Sequence, residues 1–136
     1  MGRTRQNEWQ GAELVWIRPS DIIVPHCILD QEQAEALRVL IAPEWELNRV
    51  FPVPVADEGL PEYRALSGAH RVGVAKELEV DDPGYLVPCV MVPCPPGDYK
   101  SMVRVSDLEL VDWLHRLGMH AAAEATSPQL LRLQSG

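Results

Sequence analysis

A glycine-containing junction between an extended segment and a helical segment constrains this chain more than any other feature. Residues 63–66 have the character of a short strand, and Ser67-Gly68 then leads directly into residues with helical spacing. The first backbone N–H groups of a helix have no partner inside the helix. Because the helix dipole is also positive at this end, a strand that turns at a glycine into a helix predicts an anion-binding site.

Five consecutive residues form this candidate site. Gly68 allows a tight turn and a close approach of a ligand to the backbone. Arg71 adds a planar, permanently charged guanidinium that suits phosphate. We expect Ser67, Gly68, Ala69, His70 and Arg71 to bind a phosphate or nucleotide, with Arg71 as the main contact and of little importance for stability. If the site performs chemistry, His70 is the candidate catalytic residue.

The segments around the junction predict the fold class. Asp30 and Gln33 have the spacing of a helix capping box, and Pro43 ends the helical pattern that follows. Residues 51–56 and 86–92 predict strands, although Pro52 and Pro54 predict that one side of the first is an edge or irregular. We expect an α+β (or α/β) domain over residues 13–97, with a small mixed sheet and packed helices. Residues 1–12 are expected to be flexible, and residues 98–136 to form a helical appendage.

The order of these segments resembles that of the ParB/sulfiredoxin superfamily. Gly68-Ala69-His70-Arg71 is similar to its Gly-x-x-Arg motif. Residues 17–22, 29–37, 51–55, 63–66 and 86–92 resemble its opening strand, first helix, central strand pair and closing strand. The resemblance covers residues 14–93 and implies a ParB/sulfiredoxin-like fold. It also implies a nucleotide ligand such as CTP or ATP, with Mg²⁺.

Two departures limit what the resemblance implies. Sulfiredoxins carry a reactive cysteine where this chain has Ala69, so reduction of a sulfinic acid is not expected. Partition proteins of the ParB type carry a second phosphate-binding motif, a helix-turn-helix domain and a dimerisation module after the matched segment. Residues 98–136 show no obvious copy of the second motif, and a helix-turn-helix over residues 106–133 is possible but would have a poor recognition helix. A complete partition clamp is not expected.

Three functions are compatible with this pattern. The leading one is a stand-alone regulatory or accessory protein that binds a nucleotide or another phosphate ligand with slow or absent turnover. The second is a small nucleotide hydrolase or phosphotransferase at the same site, for which Asp21, Asp30 and Glu32 are candidate bases. The third is a protein-interaction or DNA-associated module in which the phosphate pocket is vestigial.

Charge and apolar patterning bear on partners and location. Twenty acidic residues against twelve basic ones give a net charge of −8, and no run of basic residues is present, so direct DNA binding is not expected. We see no apolar run long enough to span a membrane and no signal peptide, and we expect a cytoplasmic protein. Leu110, Trp113, Leu114 and Leu117 form one helical stripe, which predicts a helix that docks on the core or contacts a protein partner or a second copy.

The cysteines and histidines do not predict a structural metal. Cys89 is expected to be a small, buried apolar side chain. His115 and His120 are five residues apart, which places them on different faces if they share one helix. Neither this histidine spacing nor the spacing of Cys89 and Cys94 is that of a common zinc site.

Overall fold

A six-stranded mixed sheet forms the centre of the computed structural model, which describes residues 6–24, 30–57, 62–93 and 107–126. The strands are β1 (Glu8–Trp9), β2 (Ala12–Ile17), β3 (Ile22–Ile23), β4 (Val53–Asp57), β5 (Tyr63–Ala65) and β6 (Val87–Pro93). Their order across the sheet is β1-β2-β6-β4-β5-β3. The pairs β4–β6 and β3–β5 are parallel, and the other neighbours are antiparallel.

Helices cover both faces of this sheet. They are α1 (Gln31–Ile41), α2 (Ala69–Asp81), α3 (Asp107–Arg116) and α4 (His120–Ala125), with a short 3-10 helix at Pro19–Asp21. Helices α1 and α2 share one core with alternate residues of the central strands, among them Val55 and Cys89. Helices α3 and α4 share a second core with the residues that point the other way, such as Ala56 and Val90. The mixed sheet and its helices confirm the predicted α+β class.

The first two helices begin at the predicted residues. The Asp30 carboxylate accepts a hydrogen bond of 3.0 Å from the Gln33 N–H and so caps α1. Gly68 precedes α2 with φ +83°, a left-handed conformation that glycine adopts without steric cost. The junction between β5 and α2 therefore has the strand–glycine–helix form that the sequence predicts.

One strand prediction differs from the structure. Strand β4 is central rather than at an edge, since it lies between β6 and β5. Pro54 has no N–H to donate to a neighbouring strand. The backbone of β4 at Pro54 faces Leu66, just beyond the end of β5, and there the Pro54 carbonyl accepts the Leu66 N–H at 2.9 Å.

At the other end of the sheet, the expected boundary at residue 12 falls inside a hairpin of β1 and β2, whose turn has φ +51° at Gln10 and +82° at Gly11. The boundary between residues 97 and 98 lies outside the described residues.

The apolar stripe on α3 divides into a buried part and an exposed part. Leu110 and Leu114 are buried in the second core, whereas Trp113 is half-buried and Leu117 is 53% exposed. Gly118 ends the helix with φ +79°, as a C-terminal glycine commonly does. The stripe therefore docks on the sheet through Leu110 and Leu114. Contact with a partner through Trp113 and Leu117 stays a prediction.

We expect the two leucines of α3 to differ sharply in their effect on stability. Leu114→Ala should lower the free energy of unfolding by about 2–5 kcal/mol, because it leaves a cavity in the second core. Leu117→Ala should change it by about 0.5 kcal/mol or less, since the side chain is mostly exposed. Urea unfolding of both variants measures the difference. Equal losses would contradict the docking of α3 on the sheet.

Candidate functional site

The candidate site lies where β5 turns into α2, and Arg71 is its least exposed residue. The Arg71 side chain is 2% exposed. Its Nη1 donates to the backbone carbonyls of Phe51 at 3.1 Å and Pro52 at 2.7 Å. Its Nη2 donates a longer bond of 3.4 Å to the carbonyl of Thr126. The guanidinium thus joins α2 to the segment before β4 and to the end of α4.

Gly68 is required by the position of this guanidinium. A methyl group built on its Cα would lie 2.8 Å from both Nε and Nη2 of Arg71. The arginine side chain therefore folds back over the glycine backbone, where no other residue leaves room. Two features therefore require glycine at position 68: the left-handed backbone angle and the close approach of the Arg71 guanidinium.

Ser67 and Arg71 converge on one oxygen atom. The Ser67 hydroxyl donates to the Thr126 carbonyl at 2.8 Å, and Arg71 Nη2 reaches the same carbonyl oxygen. Thr126 is 1% exposed, and its own N–H continues the hydrogen bonding of α4 to the carbonyls of Ala122 and Ala123. The C-terminal end of α4, which is negative, therefore meets the positive N-terminal end of α2.

His70 links the starts of two helices. Its Nε2 atom accepts a hydrogen bond of 3.0 Å from the backbone N–H of Asp30. A neutral ring that accepts at Nε2 carries its proton on Nδ1. In this arrangement Nε2 is engaged with α1, so proton transfer to a ligand through that atom would require the contact with Asp30 to open.

Two of the three carboxylates considered as bases have structural contacts. Asp30 caps α1 through the Gln33 N–H. Asp21 accepts from Arg18 Nε at 3.3 Å. Glu32 lies exposed on the first turn of α1. These contacts assign structural roles to Asp30 and Asp21, and the assignment of a base stays a prediction.

Cys89 is not a reactive thiol in this fold. It is completely buried in β6, and its thiol donates to the Val87 carbonyl at 3.5 Å. Burial raises the pKa of the Cys89 thiol well above its ordinary value, and the positive charge of Arg71 offsets this only in part. The sequence-based prediction of a small, buried apolar side chain is confirmed.

His115 and His120 lie together, contrary to the interpretation of their spacing. Their Nδ1 atoms are 2.7 Å apart. The two residues belong to different helices, α3 and α4, and the chain turns between them at Gly118, so the periodicity of a single helix does not apply. Within the described ranges, no group of three or more histidine, cysteine, aspartate or glutamate side chains could hold a metal ion.

Comparisons with known proteins add no assignment. No protein-family model matches the chain. A search of curated proteins gives no match either. The resemblance to the ParB/sulfiredoxin superfamily therefore rests on the residues quoted above. Among the helices of the described segments, none is long and apolar enough to cross a membrane.

Sequence reasoning could not identify two features of this site. Thr126 was not among its predicted residues, because it lies 55 residues after Arg71 in the chain and carries no recognisable signal. The burial of Arg71 likewise depends on that distant segment. We therefore expect Arg71 to contribute to the stability of the fold, which reverses the expectation from the sequence.

Gly68→Ala should destabilise the protein more than Gly11→Ala does. Both glycines have nearly the same positive φ, +83° and +82°, so both substitutions carry a backbone cost of roughly 1–3 kcal/mol. Only the new methyl group at residue 68 meets the Arg71 guanidinium, since nothing lies within 4 Å of the same position at residue 11. Chemical denaturation measures both variants. Equal losses of unfolding free energy in the two variants would show that the Arg71 side chain moves aside at little cost and would contradict the prediction.

Proposed function

We propose that this domain binds a phosphate-bearing ligand, with a nucleotide as the leading candidate, at the N-terminus of α2. The binding segment is Ser67, Gly68, Ala69, His70 and Arg71. The observation that carries the proposal is the convergence of the Ser67 hydroxyl and the Arg71 guanidinium on a single acceptor oxygen. Two donors aimed at one oxygen beside a helix N-terminus form an arrangement that suits a phosphate oxygen.

The Thr126 carbonyl is the intramolecular acceptor that such a ligand would replace. A carbonyl is neutral and carries only a partial charge, whereas a phosphate oxygen is charged and forms stronger hydrogen bonds with the same donors. Helix α4 is only six residues long, His120–Ala125, and short helices have little stability of their own. The exchange would involve the carbonyl of Thr126, the residue after α4, while the alanines of α4 stay packed in the second core.

The same residues favour a binder over an enzyme. Ala69 supplies no nucleophile, Cys89 is a buried and protonated thiol, and His70 Nε2 is occupied by the Asp30 N–H. An enzyme needs a base or nucleophile next to the bound phosphate. We propose a regulatory or accessory role in which ligand binding changes the position of the end of α4. Hydrolysis or phosphoryl transfer stays the alternative function of the site.

A thermal-shift series with CTP, ATP, GTP and ADP, with and without Mg²⁺, tests ligand binding. A ligand at about one hundred times its Kd stabilises the native state by about 2.7 kcal/mol and raises Tm. Ser67→Ala should weaken the binding of the best nucleotide about fivefold. The bound state loses a bond to a charged oxygen, while the free state loses only a weaker bond to a carbonyl.

Ser20→Ala is the matched control for this series. Its hydroxyl also donates to an oxygen, that of the Glu79 carboxylate at 3.1 Å, but it lies away from the junction. Unchanged affinity in Ser67→Ala, or an equal loss in both variants, would contradict the assigned site. Phosphate release of about 1 per second or faster, which His70→Ala abolishes, would replace the binder with the enzyme alternative.

A further inference from the structure

A cavity lies at the opposite end of α1 and α2 from the proposed anion site. It has a volume of about 420 Å³, within the range of small-molecule sites. Its walls come from the loops that follow α1 and α2, together with the end of β2. The lining residues are Gln6, Trp16, Pro43, Glu44, Trp45, Glu46, Leu47, Asp82, Gly84, Tyr85 and Leu86.

Three aromatic side chains give this cavity a fixed wall. The Trp45 indole donates to the Val50 carbonyl at 3.0 Å, and the Tyr85 hydroxyl donates to the Ile41 carbonyl at 2.5 Å. The Trp16 indole donates to the Gln6 carbonyl at 2.7 Å. Because each polar group already has a backbone partner, the rings contribute mainly aromatic surface to the cavity. Rings held in this way need little reordering when a ligand binds.

The charges around the cavity have one sign. Glu44, Glu46 and Asp82 line it, and none of its eleven lining residues is lysine, arginine or histidine. Arg49 is a nearby cation and pairs with Glu46 at 3.2 Å, with the two side chains 48% and 42% exposed. Burial raises the pKa of the Tyr85 hydroxyl, and the negative charges of Asp82 and Glu44 raise it further. Both carboxylates therefore act on the same wall of the cavity.

The helix dipoles add to this negative field. Helix α1 ends at Ile41 and α2 ends at Asp81, so the negative ends of both helices are next to the loops that form the cavity. The Tyr85 hydroxyl holds these two ends together through its bond to the Ile41 carbonyl. The side-by-side arrangement of α1 and α2 thus places anion-attracting ends near His70 and cation-attracting ends near Tyr85.

We propose that this cavity binds an organic cation, a primary ammonium or guanidinium group on an aliphatic chain. The carboxylates of Glu44, Glu46 and Asp82 would face the charged group. Trp16, which is more exposed than the buried Trp45 and Tyr85, would favour it through cation–π contact. Leu47 and Leu86 supply apolar surface for the aliphatic chain. A free diamine and a lysine or arginine side chain of a peptide both carry such a group, and the two sources share this chemistry.

The test is a titration of the full chain with 1,5-diaminopentane and, separately, with N-acetyl-lysine methylamide. The neutral control is N-acetyl-norleucine methylamide, which has a similar chain and no charge. The four tryptophan indole N–H signals are followed by two-dimensional NMR. Trp16 and Trp45 line the cavity and should shift, whereas Trp9 and Trp113 do not line it and should stay unchanged. The stronger of the two cations identifies the source.

Charge-neutralising variants complete the test. Glu44→Gln and Asp82→Asn should each weaken cation binding about two- to fivefold, and together roughly tenfold. Asp82→Asn keeps the side-chain oxygen that accepts the Gly84 N–H at 3.1 Å. Glu35→Gln removes an exposed carboxylate of α1 that does not line the cavity and should leave the affinity unchanged.

Four outcomes would overturn the proposal: equal shifts with the neutral control, equal shifts of all four indoles, an equal loss of affinity in Glu35→Gln, or no shift at about 10 mM cation, a concentration above any useful Kd. None of these outcomes depends on whether a nucleotide binds at α2.

Discussion

The buried guanidinium of Arg71 is the interaction on which the arrangement of this domain depends. A charge that is 2% exposed is costly unless hydrogen bonds compensate for lost water, and here three backbone carbonyls accept from it. Arginine stays protonated in any fold, so this charge cannot be neutralised by loss of a proton. The guanidinium must therefore keep its acceptors or exchange them for equivalent ones. The Phe51 and Pro52 carbonyls fix α2 relative to the segment before β4, and the Thr126 carbonyl links α2 to the end of α4.

This interaction also shows how the proposed binding could be compatible with the stability of the fold. The bonds of Arg71 to Phe51 and Pro52 are short and hold the sheet, whereas the bond to Thr126 is the longest of the three. Ser67 shares that last acceptor. A ligand that replaces the Thr126 carbonyl leaves the other two bonds intact, so the fold survives the exchange. The structural change that we propose for ligand binding is thus confined to the end of α4.

Local patterns predicted much of the fold because they determine local structure. The capping residue Asp30, the turn at Gly68 and the apolar residues of β6 each act on their own neighbours, and the structure confirms all three. The central position of β4, the burial of Arg71 and the pairing of His115 with His120 depend on segments brought together by the chain's path. No periodicity encodes such contacts, and so sequence reasoning missed them. The five predicted site residues do lie at one junction, and their ligand stays a prediction.

The central claim is that a ligand oxygen replaces the Thr126 carbonyl at the end of α4. A pair of substitutions at the exposed residue Glu124 tests it directly. Glu124→Gly weakens α4 by about 1 kcal/mol relative to Glu124→Ala, and both remove the same charge. If the Thr126 carbonyl competes with the ligand, calorimetric titration should show that the glycine variant binds the best nucleotide up to about fivefold more tightly than the alanine variant. Equal or weaker binding in the glycine variant would contradict the account.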